Sequence, residues 1–164
     1  MWPATLLKIC LLRANPQDLP TSTGLTALAL AAYYLADVAT ALMTVPLARA
    51  LEAAAADTFV LVALVHAALN LRRLGARTRQ TLTALAGGGA LLAGVTVIIE
   101  SLLPEGVSSV YVWAPSLLWL LAVYGHVLRH AFDVPYALGI VATGAYLILS
   151  LFITAPFLIS PDAI

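Results

Sequence analysis

Five stretches of this chain run for most of their length without a charge. A helix crosses a hydrocarbon core in about 20 residues, rising roughly 1.5 Å at each. The stretches are 22–44, 54–71, 80–103, 111–131 and 136–159, and prolines close most of them. Proline brings no amide donor and pushes the preceding residue away from helical geometry, so it punctuates spans. The expected fold is therefore an all-α integral membrane protein, a single domain (1–164) folded as a five-helix transmembrane bundle. Composition agrees: charged residues make up 10% of the chain and mean hydropathy is +0.99, far from a water-soluble enzyme or a disordered segment. Eight basic residues balanced by eight acidic ones also exclude an electrostatic nucleic-acid binder.

Residues 3–14 are apolar but interrupted by Lys8 and Arg13, too short to span. They predict an interfacial helix and not a signal peptide, because no small-residue cleavage site follows. With one cysteine, Cys10, the chain forms no internal disulfide and no cysteine-cluster metal site. The expected state of Cys10 is an unmodified thiol.

The charges orient the bundle. Lys8, Arg13, Arg72, Arg73, Arg77, Arg79 and Arg129 fall on one side of a five-span arrangement, and only Arg49 falls on the other. The positive-inside rule then predicts an N-in, C-out, multi-pass protein of a bacterial cytoplasmic membrane. Arg72, Arg73, Arg77 and Arg79 form a compact basic loop suited to anionic lipid headgroups. Loops this short hold no separate catalytic domain.

Lipid gives helices no hydrophobic reason to associate, so small residues and buried hydrogen bonds must hold them. Ala86, Ala90 and Gly94 repeat every four residues, and with Gly87 they predict a packing face on the third span. The glycine run has no phosphate-binding register and follows no strand. Trp113, Trp119, Tyr111 and Tyr136 are expected at span ends as an aromatic belt.

Ionisable groups at membrane depth are costly and mark candidate sites. Asp37 and Glu100 are the candidate buried polar or proton-carrying pair. The histidines form a second group. His126, His130 and Asp133 share one helical face with a spacing that could present metal ligands, and His66 on the second span could pair with His126 as axial ligands of a haem b. Gly125 would then make room for the macrocycle. No hydrolytic triad, zinc-protease motif or hydrolytic carboxylate pair is present.

Residues 13–20 (RANPQDLP), 79–85 (RQTLTAL) and 125–131 (GHVLRHA) together resemble small inner-membrane proteins akin to the Yip-domain (Ypt-interacting protein) superfamily. That resemblance implies five spans with a cytoplasmic N-terminus and carries over no catalytic residue. The string 129–133 (RHAFD) is similar to a segment of succinate dehydrogenase membrane anchors, which implies a haem- or quinone-associated role. The leading functional expectation is a non-enzymatic scaffold, assembly factor or accessory subunit with no cofactor. Its partners would be the bilayer and other membrane proteins or a second copy. The alternatives are a haem b or quinone-associated redox subunit using His66 and His126, and a small proton-coupled transporter using Asp37 and Glu100.

Overall fold

The computed structural model describes residues 2–104 and 108–158. Among them every regular element is helical: α1 (Trp2–Cys10), α2 (Thr23–Ala41), α3 (Leu47–Leu71), α4 (Thr78–Ser101), α5 (Val110–Phe132) and α6 (Tyr136–Leu158). Helices α2 to α6 are each long and apolar enough to cross a membrane. The chain is a multi-pass helical bundle, as the hydropathy predicts. Four spans match the expected limits to within three residues, and position 159, the expected end of the last, lies outside the described residues.

The second span is the exception. It was expected at 54–71, but α3 begins at Leu47, directly after Pro46 at its N-cap. Arg49 and Glu52 depress hydropathy in the first two turns without interrupting an alanine-rich helix former. Seven further residues, about 10 Å of helix, are therefore added at that end.

Helix α4 is the centre of the bundle. It packs on α2, α5, α1 and α3, and residues 81–89 are buried without a break. Gly87, Gly88 and Gly89 let three neighbours approach on three sides. A β-carbon on Gly87 would stand 2.8 Å from Leu6 Cδ2 of α1, and one on Gly88 would touch Cys10 and Val123. On Gly89 it would meet Tyr33 Cε2 at 2.7 Å and the Tyr124 hydroxyl. The expected face of Ala86, Gly87, Ala90 and Gly94 is thus only partly the packing face. Ala86 is fully buried and Ala90 packs partly buried against the core, but Gly94 has nothing within 4 Å of a β-carbon position. Consecutive glycines seat several partners around the helix, whereas a four-residue repeat would serve only one.

A second close crossing joins α5 to α6. Gly139 faces the carbonyl of Gly125, with Arg129 N 3.1 Å from its would-be β-carbon, and Gly125 faces Ile140. The small residue at 125 makes room for a helix and not for a macrocycle.

The short α1 is present, and its apolar face is buried in the bundle. Leu6 and Ile9 sit in the main core, and Trp119 Nε1 donates to the Cys10 carbonyl at 3.1 Å. Trp119 is therefore a mid-helix partner of α1 and not a span-end marker. Burial pushes the Cys10 thiol up to about 11, so it is protonated and poorly nucleophilic at neutral pH.

Candidate functional site

At the arginine-rich end, the three sequence strings that looked family-like meet in one hydrogen-bonded latch. Pro16 starts a 3-10 turn (Pro16–Asp18) closed by Asp18 Oδ2, which accepts from Asn15 N at 2.8 Å. Gln17 Nε2 donates to the His130 carbonyl at 2.8 Å. Gln80 Nε2 donates back to the carbonyls of Gln17 and Leu19 at 2.9 and 2.7 Å. Arg77 donates to the carbonyls of His130 and Ala131 and pairs with Asp133 at 2.7 Å. A cation there satisfies the open carbonyls at the end of α5 and complements its dipole.

This latch accounts for the histidines. His126 Nε2 lies 3.0 Å from the Ala14 carbonyl, His130 Nε2 accepts from Arg129 Nε at 3.0 Å, and Asp133 is held by Arg77. One nitrogen of each imidazole and the Asp133 carboxylate are thus engaged, and no cluster of three metal-ligating side chains occurs among the described residues. Nor are His66 and His126 brought together. His66 is exposed on α3, His126 is buried under the N-terminal segment, and α3 and α5 share no extensive packing. Of the expected lipid-facing arginines, Arg72, Arg73 and Arg79 are exposed, while Arg77 is half-buried in the latch.

The other half of the bundle holds a second polar group of a different kind. Asp57 of α3 is its hub. Tyr33 of α2 donates to Asp57 Oδ2 at 2.5 Å, Tyr146 of α6 reaches both carboxylate oxygens at 3.3 and 3.2 Å, and Ser150 of α6 donates to Oδ1. The two phenol oxygens are 3.0 Å apart. Asp37, one turn beyond Tyr33, faces the same space as Asp57, and its Oδ2 is buried with no donor. Tyr124 sits beside them at 1% exposure, its hydroxyl also without a partner.

Tyr33, Asp37, Asp57, Tyr146 and Ser150 line a cavity of about 570 Å³ that extends towards Ser109, at the start of α5, and includes Glu100 and Trp113 in its wall. A smaller cavity of about 170 Å³ adjoins it, sharing Tyr33, Asp37, Thr40, Trp113 and Leu120, and has Tyr124 in its wall. In the wall of the smaller one, Thr96 donates to Ser116 at 2.8 Å. Asp37 and Glu100, the expected pair, are walls of one cavity, and Asp57 lines it as well. Among the described lining residues there is no lysine, arginine or histidine.

Asp57, Tyr146 and Ser150 have no place in the expectations from sequence. The shortened second span concealed Asp57, placing it near a helix end when it lies in the third turn of α3. Polar spacing carried the remaining signal. Tyr33, Asp37 and Thr40 on α2, and Tyr146, Ser150 and Thr154 on α6, recur every three or four residues, one face of each helix. No protein-family model, curated protein or solved structure matches this chain.

Proposed function

We propose that this protein is a non-enzymatic, proton-exchanging carrier whose acidic chamber takes up and releases protons within the bilayer. The observation that carries this reading is that Asp37 and Asp57 line one cavity with no basic residue among its described lining residues. Two carboxylates side by side in a low-dielectric bundle repel one another, and desolvating either is costly. One proton or one bound cation halves that charge, and whichever arrives displaces the other. That competition is the elementary step of coupled transport, and it requires no catalytic residue.

Tyr33, Tyr146 and Ser150 support this role by giving Asp57 a ready set of donors when it is ionised. Because the hydroxyls can turn, the same set tolerates a protonated carboxyl. Under the positive-inside orientation the chamber occupies the exoplasmic half of a cytoplasmic-membrane protein, away from the basic loop. The chamber puts exchange ahead of the scaffolding role expected from sequence. In this reading the latch closes the cytoplasmic end, and the Yip-like strings serve the fold.

Infrared difference titration of the purified protein in nanodiscs tests the proposal. A carbonyl band of a poorly hydrated carboxylic acid should disappear on raising pH and should be lost or shifted in Asp57→Asn and Asp37→Asn. A wild-type spectrum with no such band at any pH sinks the reading.

A further inference from the structure

Resting on that proton-exchange reading, we infer that the ion competing with protons is a small organic ammonium with an apolar or aromatic body, bound between Asp37 and Asp57. Three independent features of the chamber point to this class.

The first is volume and lining. A void of about 570 Å³ lies within the range of sites for small organic molecules, far more than a bare ion or a single water file requires. Beyond its carboxyls and hydroxyls the wall is apolar, with Ala41, Met43, Leu120, Leu147 and Leu158. An amphiphilic cation matches both the polar and the apolar parts of that wall.

The second is the donor and acceptor inventory. Asp37 Oδ2 is a buried acceptor without a donor, beside the Asp57 carboxyl that already takes three hydroxyls. The Tyr124 hydroxyl, completely buried in the wall of the adjoining cavity, is likewise unpartnered. A primary ammonium offers three N–H donors and no acceptor, which suits a group of oxygens short of donors. The aromatic rings of Tyr33, Tyr146 and Trp113 in the same wall favour a cation over a neutral ligand.

The third weighs against a dehydrated divalent cation. Among the described residues no three His, Cys, Asp or Glu side chains converge, so a divalent ion would have to keep most of its water here.

The exchange is balanced without any further reactant. On ammonium entry the proton held between Asp37 and Asp57 leaves to water, and the carboxylate so formed pairs with the ammonium. The reverse proton transfer expels the ligand. No covalent bond other than O–H is made or broken.

The experiment is isothermal titration of the full chain in nanodiscs of zwitterionic lipid, where the bilayer itself does not attract cations. The probes are phenethylammonium, its uncharged analogue 2-phenylethanol, and magnesium and sodium chlorides. Repeating the titration in buffers of different ionisation enthalpy counts the protons released. Saturable binding of phenethylammonium with release of about one proton, and at least tenfold weaker binding of 2-phenylethanol, is the expected result. Asp57→Asn and Asp37→Asn should each weaken binding by about tenfold or more, as loss of a desolvated charge partner does. The wild-type arms need no variant, so misfolding of either leaves the test intact. Absence of phenethylammonium binding, equal binding of the alcohol, or preference for magnesium overturns the inference. If the infrared carboxyl band still titrates in that case, proton exchange survives and only the ligand class falls.

Discussion

The two polar regions of this bundle are built on opposite plans. In the latch at the arginine-rich end, donors meet acceptors: Gln17, Gln80 and Arg77 all donate to backbone carbonyls, and Asp133 has a cation. In the chamber and its adjoining cavity, acids gather without a basic neighbour in the described wall, and three oxygens, of Asp37, Glu100 and Tyr124, are buried with no partner. A satisfied network rigidifies and fixes one arrangement of helices; a half-satisfied one costs stability and persists where something else completes it. The contrast separates polar residues that serve the fold from those available to a ligand.

Breaking the frame that carries both regions should have the largest effect. Gly139→Val places a side chain against the backbone of α5, at the Gly125 carbonyl and 3.1 Å from Arg129 N. Backbone cannot move aside as a flexible side chain can, so the helices must separate. We expect a loss of about 3 kcal/mol or more, at or above the upper end for overpacking. Reversible unfolding in mixed micelles measures it, and a folded variant of wild-type stability would refute the close crossing.

Opening the latch comes next. Arg77→Gln removes the Asp133 ion pair and the charge that caps α5. Both side chains are partly exposed, at 31% and 67%, so screening reduces the contribution to about 1 kcal/mol. Salt should shrink the difference between variant and wild type. Infrared titration of the chamber should be unchanged in this variant; a shift of the carboxyl band would mean that the two regions are coupled.

The same glycine reasoning sets the size of a smaller effect. Gly94 has open space around its β-carbon position, so Gly94→Ala should be neutral or stabilise α4 by up to about 1 kcal/mol through helix propensity. Destabilisation in the same unfolding assay would restore Gly94 to the packing face expected from its four-residue spacing.

How far the sequence revealed this arrangement depends on the length scale of the signal. Span number and most limits follow from hydropathy averaged over twenty residues, and they agree with the structure. Asp37 stood out as a carboxyl inside an apolar run, and Glu100 as one near the end of another. Asp57 did not, since the averaging that identifies spans also placed a helix start at 54, among the alanines after Arg49 and Glu52. The histidines misled for a related reason. Spacing along one helix puts His126, His130 and Asp133 on one face, but their occupants come from residues 14, 77 and 129. The first two of these contacts bridge large separations along the chain, and helical periodicity carries no information about them.

The finest test of the contrast is the one expected to change stability least. Asp57→Asn removes a charge from the chamber and leaves a side chain of nearly the same shape. In the latch, deleting a charged partner strands an acceptor; here it removes the group whose burial is costly in the first place. The Asn carbonyl still accepts from one or two of Tyr33, Tyr146 and Ser150, and its amide can donate to the open oxygen of Asp37. We therefore expect a change within about 1 kcal/mol, of either sign, while the titrating carboxyl signal is lost or shifted. A large loss of stability in Asp57→Asn with an unchanged carboxyl titration would reverse the assignment, making Asp57 part of the fold's own hydrogen bonding and leaving Asp37 and Glu100 to hold the proton.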